Sequence, residues 1–436
     1  MDKITALCKR RGFIFQGSEI YGGLANTYDY GPAGTELLRN IRNLWWDTFV
    51  HKRDDIVGLD ASVISHQEIW KASGHTAGFA DAMIDCKNCK LRMRADHLIE
   101  EKTQKKVEGK SLEELEKIIN ENKDITCPNC GKHDWTKVRK FNLLFPVNLG
   151  IVEGDQSLAY LRGETAQGMF TNFKNVVDSS RVRLPGNSVF RTLEFELAEV
   201  EYFFDPQESK WEQLFADWKK SMWDFVTKTL GVSEKNLQWR EHSEKERSFY
   251  SKKTEDLEYK FPFGFKELWG LAYRTDYDLL QHIKFSKKDL TILDPQTGKK
   301  IMPHVIEPAV GINRLLLMIL SDAYIEEKDR IVLRINPRLA PYKAAVFPLL
   351  ANKPKLVEKA KKIFKDLSSH FVTVFDGRGN IGKRYFAQDE IGTPFCITVD
   401  FETLENDTVT IRIRDTMKQE RIKISDLVSI IGKKIS

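Results

Sequence analysis

Apolar residues recur at helical spacing in several stretches of the chain. Leu37, Leu38, Ile41, Leu44, Trp45 and Thr48 mark one face of a helix expected over Glu36 to Arg53. A shorter helix is expected over Lys3 to Arg11, an amphipathic one rich in Trp and Phe over Lys210 to Leu230, and a buried one over Leu315 to Tyr324. Between residues 81 and 140 the character changes. Two cysteine pairs flank a charged stretch there, and Ser111 with Glu114 has the spacing of a capping box. From Phe141 to about Arg334 strand-like segments alternate with a few helices, and Phe190 to Asp205 reads as one long strand. Beyond Asn336-Pro337-Arg338, a strand (Lys343 to Leu349), a helix (Lys355 to Leu367) and a strand (Val372 to Phe375) predict a small α/β unit.

At 436 residues the chain exceeds a single domain, so two or three are expected. The longest apolar run, Leu315 to Leu320, is too short to cross a bilayer, and the N-terminus lacks the features of a secretory signal. A cytoplasmic protein with no membrane partner is therefore expected. The net charge of +5 permits a polyanion partner only if the basic residues cluster.

Six cysteines in such a chain argue against disulfides. Cys86/Cys89 and Cys127/Cys130 are each C-x-x-C, and together they can present four thiolates to a tetrahedral, structural Zn²⁺. Cys8 and Cys396 are isolated and expected to pack as small apolar residues.

The run Gly377 to Gly382 fits a dinucleotide fingerprint and nearly a P-loop. The P-loop reading fails at Arg384, where a hydroxyl should meet Mg²⁺. The dinucleotide reading fails because the preceding strand comes second in its unit. A glycine-rich turn with Lys383 and Arg384 suits RNA phosphates equally well.

In a continuous strand through FRTLEFELAEVEY, Arg191, Phe195 and Glu199 share a face at intervals of roughly 13 Å. A cation, a ring and a carboxylate in that order suit phosphate, adenine and ammonium. Taken alone, a mixed-charge antiparallel strand explains them as well. The order R-x-x-x-F-x-x-x-E resembles the second half of motif 2 of class II aminoacyl-tRNA synthetases, and VIEPAVGINRLLLMIL resembles their motif 3. KRRGFIFQGSEIYGGLANTYDYGP, DCKNCKLRMRADHLIE, LRGETAQGMFTNFKNV, EYKFPFGFKELWGLAYRTDYDL and GNIGKRYFAQDEIGTPFCITVDF resemble the dimeric glycyl-tRNA synthetases over nearly the whole chain.

That resemblance implies an α+β class II catalytic domain, an antiparallel sheet flanked by helices, over residues 1–80 and 141–335. A four-cysteine zinc-type insertion would occupy 81–140, and an anticodon-binding α/β domain 337–436. It implies glycine, ATP with Mg²⁺ and tRNA as substrates and a homodimer built around Glu36 to Arg53, with no DNA partner. Arg191 and Arg314 would be catalytic. Glycine would meet Arg94, Glu164, Phe195, Glu196, Leu197, Ala198, Glu199, Glu307, Pro308, Ala309, Val310 and Gly311. ATP would meet Phe190, Arg191, Thr192, Leu193, Glu194, Phe195, Glu267, Leu268, Gly311, Ile312, Asn313 and Arg314, with Glu267 near Mg²⁺. Glu164, Glu199 and Glu307 would both hold the ammonium and crowd out a methyl group, so no editing domain is needed. Lys383, Arg384, Arg412, Arg414, Lys418 and Arg421 would face the anticodon stem-loop, with a solvated charged surface as the equal alternative.

The sequence departs from the family at motif 2. SSRVRLPGNSVFRTLEF passes directly into the second strand, so the first strand and the loop carrying another arginine are expected to be missing. Gly163, Leu193, Ala309 and Asn313 are smaller departures. Two functions follow: an active glycine-charging enzyme, or an impaired relative that keeps the fold and binds tRNA.

Overall fold

The computed structural model describes residues 1–24, 27–78, 80–105, 107, 110–142, 144–150, 157–179, 186–192, 196–244, 246–294 and 297–435; residues 77, 78, 80, 81, 142 and 186–192 are described by their backbone. A seven-stranded sheet lies at the centre. Its order is Leu237–Glu241, Lys253–Phe261, Gly264–Thr275, His304–Gly311, Glu196–Phe204, Gly186–Thr192 and Ile56–Gly58. Neighbours run antiparallel except the last pair.

Alternation along each strand sends successive side chains to opposite faces. Ala198, Val200 and Val310 join the larger core with Ile41 and Trp45 of the helix Pro32–Trp46, Trp218 of Trp211–Asp224, and Leu315 and Ile319 of Ile312–Ala323. Phe203 and Val305 face the other way, onto Phe170, Phe173 and Leu279 of the helices Ala166–Ser179 and Tyr277–Ser286. Phe173 and Phe203 lie with ring centroids 4.3 Å apart. Glu199, Glu201 and Glu307 alternate in step with Phe203 and Val305 and so share this second face.

The sheet corrects two expectations. Phe190 to Asp205 is not one strand. Gly186–Thr192 pairs antiparallel with Glu196–Phe204, so that Arg191 lies opposite Leu197 and Thr192 opposite Glu196. Arg191 and Glu199 therefore belong to different strands and do not repeat along one, and the proposed 13 Å ladder fails. The strand said to be missing is supplied by Gly186–Thr192. No Gly, Pro, Asn or Asp stands between Thr192 and Glu196 to signal a break in the strand, and two paired strands alternate just as one does.

The expected helices all form with shifted ends. The Glu36 helix is α-helical over Pro32–Trp46 and ends in a π turn, Asp47–His51; the Trp-rich helix ends likewise at Phe225–Thr229. The strands Ala80–Asp85, Arg92–Arg94 and Arg139–Asn142 make a small antiparallel sheet beside the helices Ala95–Thr103 and Leu112–Glu121. The Ser111–Glu114 capping box closes in both directions. Toward the C-terminus five strands follow the order Thr373–Phe375, Ala344–Pro348, Phe395–Val399, Thr408–Ile413, Gln419–Lys423, the first three parallel and the rest antiparallel. No helix among the described residues is long and apolar enough to cross a membrane.

Candidate active site

Arg274 organises the site. The strand Gly264–Thr275 pairs Tyr273 with Ile306 and Thr275 with Val305, which leaves Arg274 as the extra residue of a bulge. Thr275 then takes φ +60°, a costly conformation for a β-branched residue, and the helix Tyr277–Ser286 follows at once. The bulge and turn bring Arg274 against Asp278. Its Nε and Nη2 donate to the two Asp278 oxygens at 2.9 and 3.0 Å, and its Nη1 donates to Glu307. Glu164 lies 3.9 Å from Nη2. The guanidinium stacks 3.9 Å over the Tyr250 ring. With Arg274 1% exposed and Asp278 2%, these charges hold one another without water.

Glu164 precedes the helix Ala166–Ser179. It accepts from Gln167 Nε2 at 2.8 Å and faces His75 Nε2 at 3.2 Å. Burial works against its charge, but His75, Arg274 and Gln167 outweigh burial and hold it down at about 2. Burial likewise opposes charge on His75, and Glu164 reverses that, so the imidazole sits above its ordinary value. Gln167 also donates to Asp278 at 2.8 Å, and His282 shares a hydrogen bond with Gln167 Oε1. Thr165 donates to Glu199.

Glu199 and Glu201 project from the strand Glu196–Phe204 toward this group. Glu201 is fully buried, and neither carboxyl oxygen has a hydrogen-bond partner among the described residues. Burial raises its pKa well above the carboxylate range, and the charge of Glu307 adds to the effect. Of that pair Glu201 keeps the proton, because Glu307 has a guanidinium donor and Glu201 has none. Five carboxyl groups (Glu164, Glu199, Glu201, Asp278 and Glu307) thus surround two cationic side chains, Arg274 and His75, with Arg162 feeling Glu199 from one side. With Glu201 neutral, negative charge still exceeds positive, and a small cation is the natural guest.

The remaining predicted residues divide. Glu307 and Ala309 lie on the acidic face; Val310 faces the larger core, and Pro308 and Gly311 complete the same strand. Leu197 pairs with Gly311. Glu196 and Ala198 point away from Glu199: Ala198 packs in the larger core, and Glu196 accepts from Arg42. Arg94 sits on the insertion sheet, forked onto Asp96 at 3.1 and 2.6 Å. Ile312, Asn313 and Arg314 open the helix after Gly311; Ile312 is buried, and Asn313 donates to the Tyr30 hydroxyl and accepts from the Glu196 amide. Arg314 pairs with the Glu267 carboxylate at 2.8 Å and its carbonyl at 3.0 Å, so Glu267 serves a guanidinium here, and Leu268 beside it is core. Phe190, Arg191 and Thr192 contribute backbone pairing, while their side chains, with all of Leu193, Glu194 and Phe195, lie outside the described residues.

Sequence reasoning did not single out Arg274, Asp278, His75, Gln167, Thr165 or Glu201. The string RTDYD carried a signal in retrospect, an arginine and an aspartate four residues apart across a strand-to-helix turn.

Cys86, Cys89, Cys127 and Cys130 converge, with all four sulfurs within 4.8 Å of one another. Cys86 to Cys130 is 3.6 Å and Cys89 to Cys127 is 3.5 Å, near the ~3.8 Å edge of a tetrahedral zinc–thiolate site. Hydrogen bonds from Asn129 and the Leu91 backbone pull Cys89 down to about 6, while burial pushes Cys127 up to about 11.

The expected RNA face needs correction. Arg384 is 2% exposed and donates to the carbonyls of Pro348, Gly377, Arg378 and Gly379. Arg412 is forked on Asp389, Arg414 on Asp415, and Arg421 on Asp400. A buried guanidinium needs partners, and Arg384, Arg412 and Arg414 found them inside the fold, while Arg421 is half-buried on Asp400. Lys383 and Lys418 remain exposed, and the Arg378 side chain is 93% exposed.

Residues 343–434 match the family described as Anticodon binding domain, and residues 102–143 match Glycyl-tRNA synthetase insertion domain 1. Among relatives, the chain is 49% identical to a glycine–tRNA ligase of Clostridium tetani over 463 residues, covering 100% of this chain and 98% of that protein. It is 48% identical to one of Clostridium perfringens over 467 residues and 47% identical to one of Caldanaerobacter subterraneus subsp. tengcongensis over 460, with the same coverage. In the first comparison 463 aligned positions against 436 residues leave at least 27 without a counterpart in this chain.

Proposed function

The chain belongs to the glycine–tRNA ligase family, and from that premise we propose that its buried acidic face binds glycine for activation by ATP and transfer to tRNA. The observation that carries the assignment is the surplus of carboxylates around Arg274. Glu199 and Glu307 take the ammonium of glycine, with Glu164 completing the ring. Arg274 and Asp278 hold these acids in place. Glu201, neutral and buried, fills the floor of the site without adding charge. The same side chains occupy the volume that a substrate side chain would need, so alanine is excluded by contact rather than by a later hydrolytic check.

ATP carries its Mg²⁺ as substrate. Its phosphates approach Arg314 at the open end of the helix Ile312–Ala323, where approach replaces the Glu267 pairing. The glycine carboxylate attacks the α-phosphorus and pyrophosphate leaves. A hydroxyl of the terminal tRNA adenosine then attacks the carbonyl carbon of the glycyl-adenylate, and AMP leaves. Positioning and charge neutralisation are the protein's contribution. The central sheet with its flanking helices is the class II catalytic domain in this reading. The four cysteines hold a structural Zn²⁺ that pins the two knuckles of the insertion, and the helix Pro32–Trp46 lies at a homodimer interface, which sedimentation at micromolar concentration tests.

Glycine-dependent ATP–pyrophosphate exchange tests the function, with Glu307→Ala as control. Exchange well above that control supports activation. A second reading has its own observation: at least 27 aligned positions have no counterpart in this chain, and only three residues separate the paired Thr192 and Glu196, where we propose that the relatives' extra positions fall. Relatives would carry a longer loop with another arginine at this point. One preorganised contact to a developing charge is worth roughly 10²–10³ in rate. Exchange equal to the Glu307→Ala control, with tRNA still bound, would identify an impaired tRNA-binding relative.

A further inference from the structure

Asp389 is fully buried and lies between two guanidinium groups from different parts of the chain. Arg412, on the C-terminal sheet, forks onto it at 2.8 and 2.9 Å. Arg330, between the short strands Tyr324–Glu326 and Ile331–Leu333, reaches it at 2.8 Å. Arg330 also donates to the Arg414 carbonyl at 2.8 Å and to Glu327 at 2.7 Å. The next residue, Glu390, accepts from Arg10 at 3.1 Å and Arg11 at 2.5 Å, both on the N-terminal helix. The helix ends at Gly392, where φ is +85° and an added Cβ would lie 2.9 Å from Ile335 and 3.1 Å from the Leu333 carbonyl.

Asp389 and Glu390 form the last turn of the helix Ile381–Ile391. Its first turn carries exposed Lys383, and Arg384 clamps the carbonyls of the glycine-rich loop from within the helix. One rigid element about 16 Å long therefore has an exposed, cationic start and an end bolted to the body that carries Arg330 and the N-terminal helix. A carboxylate that only stabilised the C-terminal sheet would need Arg412 alone.

We propose that Arg330 and Asp389 are positioning residues, a buried latch that fixes the anticodon-side helix relative to the catalytic body so that one tRNA engages both. The inference rests on the tRNA-charging reading above. A tRNA held at two sites binds by effective concentration, which is highest when the sites are held at the matching span. Releasing the latch lowers that concentration and leaves each separate contact intact.

Arg330→Gln is the informative variant, because Asp389 keeps its two-pronged bond to Arg412 and the C-terminal fold retains its buried charge pair. Affinity is measured for whole tRNA and for an isolated anticodon stem-loop of the same sequence. Whole-tRNA binding is expected to weaken roughly tenfold, while stem-loop binding stays within about twofold. Arg330→Lys, which keeps the charge, should recover most of the loss. Unchanged whole-tRNA affinity in Arg330→Gln overturns the latch. So does an equal loss for the stem-loop, which would place the residue in the fold of the C-terminal unit. Wild-type protein that binds no tRNA would overturn it as well. Exchange without tRNA is read in parallel; its absence in the wild type rejects glycine activation while the binding ratio still decides the latch.

Discussion

Arg274 and Asp278 are joined by two parallel hydrogen bonds of 2.9 and 3.0 Å across a turn whose one strained residue, Thr275, has φ +60°. The pair is out of contact with solvent and reaches two further acids of the site. Glu307 hangs from the third guanidinium nitrogen, and Glu164 is within ion-pair distance.

Removing that brace should be costly. Arg274→Met leaves Asp278 and Glu307 without their cation in the interior, for which about 3–5 kcal/mol is the usual loss. Urea unfolding should show it, and glycine-dependent exchange should vanish in whatever fraction stays folded. Stability within about 1 kcal/mol of wild type would show that the network is not structural.

The Glu164–His75 contact sets a pH dependence. Glu164 falls from an ordinary 4.5 to about 2 on folding, so its contribution is present above 4.5 and is lost as pH falls toward 2. His75 is raised on folding, so its contribution is complete below its ordinary value of 6.5 and fades as pH rises past its folded value. Denaturation midpoints at pH 7, 5, 4 and 3 should therefore fall more steeply for the wild type than for Glu164→Gln. Parallel curves would remove Glu164 from the account of acid sensitivity.

Metal analysis should find about one zinc per chain bound at the four sulfurs. Cys130→Ser should reduce that occupancy and expose the segment around the helix Leu112–Glu121 to proteolysis, since the knuckle residues Cys86 and Cys127 are core members of the insertion. Less than half an equivalent of zinc, with all four thiols freely titratable, rejects the metal.

Lys383 and Arg384 are neighbours in sequence with opposite expected effects. Lys383→Ala should leave the melting temperature unchanged, weaken tRNA binding and reduce the salt dependence by about one phosphate contact. Arg384→Ala should destabilise the protein by about 2–4 kcal/mol, because the carbonyls of Gly377, Arg378 and Gly379 lose a charged donor. If Arg384→Ala instead weakened RNA binding at full stability, its guanidinium would be an RNA contact after all.

By itself the sequence determined the elements with strong local signals. The 3.6-residue periodicity of Leu37 to Trp45, the Ser111–Glu114 cap and the strand–helix–strand pattern after Pro337 all rest on neighbours a few residues apart. The paired C-x-x-C spacing and the EPAVG strand were equally readable. Only the tertiary structure decided what depends on distant partners. A hairpin and a single strand share one alternation, and only the pairing of Gly186–Thr192 with Glu196–Phe204 tells them apart. Likewise no composition rule separates Arg384, sealed in a cage of carbonyls, from Lys383, left in water. The site's central cation, Arg274, was invisible for the same reason: a bulge and a turn of positive φ aim it, and the acids it gathers come from segments up to 143 residues apart in sequence, from Glu164 to Glu307.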